Sequence, residues 1–176
     1  MMIRFIALFV LVAIGTNLLH EAAHWVTGQL LGYDMWVNIN SAGLESGQYR
    51  SALHPQIVSI AGPIFTVLQG LVAYLIFRKN KSLIAFAFIF AAFMMRFVAG
   101  LMSLSNPNDE ARVSEYLGLG PWTLHIVVVA ILLGLTILAG QQTKLRLRDY
   151  TLAYVATSIG FACIIMGEAY VPRLSF

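Results

Sequence analysis

Residues Phe5 to Leu31 read FIALFVLVAIGTNLLHEAAHWVTGQLL. As a helix rising 1.5 Å per residue, this stretch is long enough to cross about 30 Å of hydrocarbon. Four more apolar stretches follow, from Ile57 to Phe77, Ser82 to Ser105, Trp122 to Thr143 and Tyr150 to Val171. Composition agrees: the 176 residues are 59% hydrophobic and only 11% charged, with a mean hydropathy of +0.79. A soluble domain carries about a quarter charged residues and cannot hide this much apolar surface in one core. The expectation is a single all-α integral membrane domain over residues 1–176, a bundle of about five transmembrane helices.

In the second half of the same first stretch lies His20-Glu21-Ala22-Ala23-His24. On a helix, residues four apart project from one face a turn apart, so both imidazoles can bind one tetrahedral ion. Glu21 stands beside them as a proton acceptor for a water that such an ion activates. One cysteine, Cys163, excludes an internal disulfide and a cysteine cage, so any metal site must be built from His and carboxylate. Net charge is +3, and the basic residues gather in short loops without interleaved aromatics, which argues against nucleic acid as a partner.

Five spans place the C-terminal ends of the first, third and fifth on one side, with the loops at 32–56 and 106–121. Five of the eight acidic residues lie in those two loops. The opposite side holds Arg4, the basic loop 78–81 and the basic loop 144–148, and the positive-inside rule makes that side cytoplasmic in a multi-pass protein. The loop at 32–56 alternates through Met35-Trp36-Val37-Asn38-Ile39 and then turns, which predicts a short re-entrant or interfacial hairpin. In the loop at 106–121, Pro107 stops the third span. Asn108 or Asp109 can cap a short helix that ends at Gly118. Two histidines need a third protein ligand, and on their side of the membrane the adjacent Asp109 and Glu110 are candidates. Arg96 inside the third span must face the bundle, and Glu168 is its expected partner in a structural pair. Asn17 is expected to hydrogen-bond between helices, and His125 to lie at the interface.

Taken together, His20-Glu21-Ala22-Ala23-His24, Ala61-Gly62-Pro63 opening the second span and Asn106-Pro107-Asn108-Asp109 ending the third resemble the site-2 protease family of intramembrane zinc metalloproteases. The resemblance covers roughly residues 1–120. It implies zinc held by His20, His24 and Asp109, with Glu110 as the alternative carboxylate, and Glu21 as the catalytic residue. It also implies that the 32–56 hairpin guides an extended substrate. Candidate substrate-binding residues are Asn38 in that hairpin, His54 on the same side, and Thr66, which follows the glycine-proline motif where the family has an Asn. The expected activity is zinc-dependent hydrolysis of a peptide bond in a membrane protein or peptide substrate within the lipid bilayer. Two alternatives stand beside it: a non-catalytic membrane adaptor binding a partner helix, and a zinc-dependent lipid amidase or esterase.

Overall fold

In the computed structural model, which describes residues 2–175, six α-helices and one small sheet follow in the order α1 (Met2–Leu30), β1 (Met35–Val37), β2 (Ala42–Leu44), α2 (His54–Asn80), α3 (Leu83–Met102), α4 (Asp109–Tyr116), α5 (Thr123–Gly140), α6 (Leu147–Gly167) and β3 (Leu174–Ser175). All but α4 are long and apolar enough to cross a membrane. The outward faces carry Leu11, Leu68, Leu75, Ile126 and Ile137, all exposed, as lipid contact requires and water would not tolerate.

Inside, Phe9 of α1, Phe77 of α2 and Phe86 and Phe90 of α3 pack with ring centroids 5.9–6.5 Å apart, several edge to face. Where α6 meets α1 the helices come close at Gly160, since a Cβ there would lie 2.8 Å from that of Ala13 and 2.9 Å from the Val10 carbonyl oxygen. Small residues thus set the spacing where lipid offers no hydrophobic drive to pack.

The expected hairpin is present: β1 and β2 pair antiparallel, Met35 opposite Leu44 and Val37 opposite Ala42. A third strand was not foreseen. β3 pairs with the other side of β1, Trp36 opposite Ser175, so the order is β2-β1-β3 and β2 lies at the edge. The turn between β1 and β2 is pinned from three sides. Asn38 Oδ1 accepts the backbone N–H groups of Asn40 and Ser41 (2.9 and 2.8 Å), and Asn17 Nδ2 donates to the Ile39 carbonyl (2.8 Å). Glu168, just past α6, accepts from Asn38 Nδ2 (3.2 Å), Asn40 Nδ2 (2.9 Å) and the Ser41 hydroxyl. Asn17 therefore ties a helix to a turn rather than to another helix.

Glu168 is thereby committed to the hairpin, and the expected Arg96–Glu168 pair does not form. Arg96 Nη1 instead donates to Glu110 Oε1 and Oε2 (3.0 and 3.2 Å). Asn108 occupies the N-cap position of α4 but makes no side-chain cap; its Nδ2 donates to the Ala99 carbonyl at 2.7 Å, anchoring α4 to the end of α3. Asp109 and Glu110 fill the first turn of α4, where the helix dipole favours negative charge. Gly118, at φ +71°, ends α4 as expected, with the Leu119 N–H returning to the Ser114 carbonyl at 2.9 Å.

This connectivity predicts sidedness for single cysteines placed in a Cys163→Ser background. Lys79→Cys and Lys144→Cys should react with an impermeant maleimide from one side of sealed vesicles, and Ser46→Cys and Glu115→Cys from the other. Labelling of Lys79→Cys and Glu115→Cys from the same side contradicts the five-span arrangement.

Candidate metal centre

His20 and His24 leave α1 one turn apart and their rings meet edge to face, with the two Nε2 atoms 3.0 Å apart. Asp109, the first residue of α4, brings Oδ2 to 3.2 Å from His20 Nε2 and 3.3 Å from His24 Nε2. Three ligand atoms from two distant helices thus form a nearly equilateral triangle. The arrangement can hold a metal ion.

The far side of each ring fixes its tautomer. His24 Nδ1 lies 2.7 Å from the Val58 carbonyl oxygen, which can only accept, so Nδ1 carries the hydrogen. His20 Nδ1 lies 3.1 Å from Thr66 Oγ1, and the Thr66 hydroxyl donates to the Gly62 carbonyl at 3.0 Å. With its own proton so placed, Thr66 accepts from His20 Nδ1–H. Both neutral imidazoles then turn bare Nε2 lone pairs towards each other and towards Asp109. Asp109 Oδ1 is held by Arg112 Nη2 at 2.7 Å, which leaves Oδ2 for the rings.

Three acceptors converge with a single long donor contact, Arg96 Nη2 at 3.4 Å from His20 Nε2, so they repel one another, and positive charge at their centre removes the conflict. Tetrahedral zinc with N and O ligands at 2.0–2.2 Å sets ligand atoms about 3.3–3.5 Å apart. The observed 3.0–3.3 Å needs an expansion of roughly a few tenths of an ångström to match this spacing. Of the two adjacent carboxylates, Asp109 joins the rings. Glu110, fully buried, points to Arg96 and approaches His125 Nδ1 at 3.8 Å. Successive helical residues diverge by about 100°, so one turn of α4 delivers one acid to the histidines and the other to the arginine.

Gly62 explains how α2 can supply this outer shell. A Cβ on Gly62 would run into both the His20 and the His24 rings, so only glycine admits the α2 backbone so close. Pro63, one residue on, has no N–H for the Ser59 carbonyl four residues back. Ser59 lines a cavity of about 390 Å³ on the loop side of the triangle, with Glu21, His24, Asn40, Tyr49 and Arg112. A second cavity of about 420 Å³ lies between α1, α3 and α6, bordered by Asn17, His20, Met95, Arg96 and Phe161. Glu21, Asn40 and Asp109 border both, so the triangle sits where the two cavities meet.

The other residues singled out from sequence occupy different places. Thr66 is buried against His20 and lines neither cavity. Asn38 holds the hairpin turn and Glu168. His54 Nδ1 is hydrogen-bonded to the Tyr33 hydroxyl at 2.6 Å at the start of α2, while its neighbours Pro55 and Gln56 line the loop-side cavity. His125 is buried, not interfacial, with Nε2 3.0 Å from Ser103 Oγ. The run Arg96, Glu110, His125 was not read from sequence. Its signal was present, since Arg96 is the basic residue inside an apolar span and the acid beside the chosen ligand needs a cation.

No family model, no curated protein and no solved structure matches this chain.

Two substitutions on α2 test the outer shell. Thr66→Val should weaken divalent metal binding by about 10–100-fold, with Thr66→Ser near wild type. Gly62→Ala should abolish binding, while Gly134→Ala, where a Cβ meets nothing within 4 Å, should leave it intact. Calorimetric titration of metal-stripped protein in detergent checks both.

Proposed function

We propose that this protein is a membrane-embedded zinc endopeptidase that hydrolyses a peptide bond of a membrane-spanning or membrane-adjacent polypeptide, in the manner of site-2 proteases. The observation that carries the reading is the triangle of His20 Nε2, His24 Nε2 and Asp109 Oδ2, each held so that a lone pair faces inward. Charge supports it as well. The carboxylates Glu21, Asp109 and Glu110 face two guanidiniums, the buried one of Arg96 and the exposed one of Arg112, so acid exceeds base in this cluster and a cation is favoured there.

Zinc at the triangle supplies Lewis acidity and brings the pKa of water down to about 7. The remaining work falls to the chain. Glu21, bordering both cavities, takes the proton of the attacking water and returns it to the amide nitrogen as the C–N bond breaks. His24 and His20 stay in register because Val58 and Thr66 hold their far nitrogens. A helical substrate hides its carbonyls, so the segment to be cut must arrive extended. Edge strand β2, which starts at cavity-lining Ala42, offers main-chain partners to such a strand. The basic loops 78–81 and 144–148 face the cytoplasm in this reading, by the positive-inside rule.

The test compares membranes of cells expressing wild type or Glu21→Gln by mapping peptide termini. Wild type should generate new termini within or beside spanning segments, and Glu21→Gln should lose them while keeping about one zinc per chain. Identical termini in both, or altered lipids with unaltered proteins, would count against an endopeptidase.

A further inference from the structure

Arg96 is used by none of the steps above, yet it is the cation nearest the metal triangle within the bundle. It is 3% exposed, on a helix otherwise apolar. Nη1 is held by Glu110 (3.0 and 3.2 Å) and lies 3.9 Å from Asp109 Oδ2. Nη2 reaches to 3.4 Å from His20 Nε2. Nε is buried and has no hydrogen-bond partner among the described residues. Arg96 borders the inner cavity together with Glu21 and Asp109.

A guanidinium offers five N–H donors in a fixed plane, and the Nε and Nη2 hydrogens share one edge. Glu110 takes Nη1 and leaves that edge. Nη2 rests against the very lone pair that a cation would claim. Once His20 Nε2 is committed as a ligand, Nη2 joins Nε as a buried donor without an acceptor. Such donors are costly unless an oxygen arrives to meet them. A pair serving packing alone would not require this, since buried ion pairs are matched or exceeded in stability by apolar residues of like volume.

Resting on the hydrolytic reading, we infer that Arg96 is a further catalytic residue: its Nε and Nη2 edge receives the oxygen of the scissile carbonyl. As the water oxygen bonds to the carbonyl carbon, the C=O π pair moves to that oxygen and Arg96 donates to the charge that builds there. Glu21 carries the water proton to the departing nitrogen, the C–N bond breaks, and the pair returns to restore the carbonyl. Glu110 keeps the guanidinium in place and balances its charge. His125, whose Nε2 lies 3.0 Å from Ser103 Oγ, stands behind Glu110 with Nδ1 3.8 Å from Oε2.

The test uses the full chain in detergent, loaded with zinc, as wild type, Arg96→Lys and the double variant Arg96→Met with Glu110→Gln, which leaves no unpaired buried carboxylate. Zinc content is measured beside the affinities of a capped phosphinic alanine-leucine pseudopeptide, whose anionic oxygens mimic the charged oxygen, and of its amide counterpart. The expected result is full zinc occupancy in all three proteins. Phosphinic affinity should fall about 10²–10³-fold in the double variant and less in Arg96→Lys, with amide affinity within about threefold throughout. Unchanged phosphinic affinity in the double variant overturns the inference, and so does loss of zinc, which would make Arg96 a positioning residue for Asp109. A wild-type chain that takes up no zinc overturns the hydrolytic reading and this inference with it.

Discussion

Repulsion among three acceptor atoms governs this molecule. His20 Nε2, His24 Nε2 and Asp109 Oδ2 lie within 3.3 Å of one another, and each is held in place from behind, by Thr66, Val58 and Arg112 respectively. Nothing local to α1 or α4 favours that convergence. It is imposed by Gly62, which lets α2 come up against the rings, and by Asn108, which ties α4 to the end of α3. A positive ion turns this repulsion into attraction, and the packing around it then becomes self-consistent.

The second constraint is electrical balance in a medium that screens poorly. Arg96 and Glu110 are each nearly inaccessible, and removing one partner of such a pair costs about 3–5 kcal/mol because the other is left uncompensated. Placing the pair beside the triangle therefore stiffens the start of α4, and with it the carboxylate that faces the histidines. Consecutive acids on one helical turn thus have separate partners: Asp109 the rings and Glu110 the guanidinium. The hairpin is stiffened by different means, a Glu168 carboxylate that gathers three donors from one turn and a C-terminal strand that closes the outer side of β1.

Much of this was legible in the chain itself. The five spans follow from apolar length, the hairpin from alternation and turn residues, and the approach of residues 20 and 24 to the adjacent acids 109 and 110 from helix spacing together with parity across the bilayer; parity alone did not choose between the two acids, and Asp109 was singled out by the family resemblance. What escaped has a common cause. Asn108, Glu168, His125 and Arg96 each have several chemically reasonable partners, and choosing among them requires knowing how helices are rotated about their axes, which polar residues inside apolar spans do not reveal. Glycine at position 62 was read as part of a motif, but its reason, contact with two imidazoles at once, exists only after α1 and α2 are docked. The third strand is too short, at Leu174–Ser175, for periodicity to register.

X-ray absorption at the zinc edge, on the purified and zinc-reconstituted chain, tests the centre of this account most directly. Stoichiometric zinc with two imidazole nitrogens and a carboxylate oxygen at about 2.0–2.2 Å, in a four-coordinate shell, is the predicted result. Failure to retain zinc, or a shell of oxygens alone lacking the imidazole signature, would contradict it.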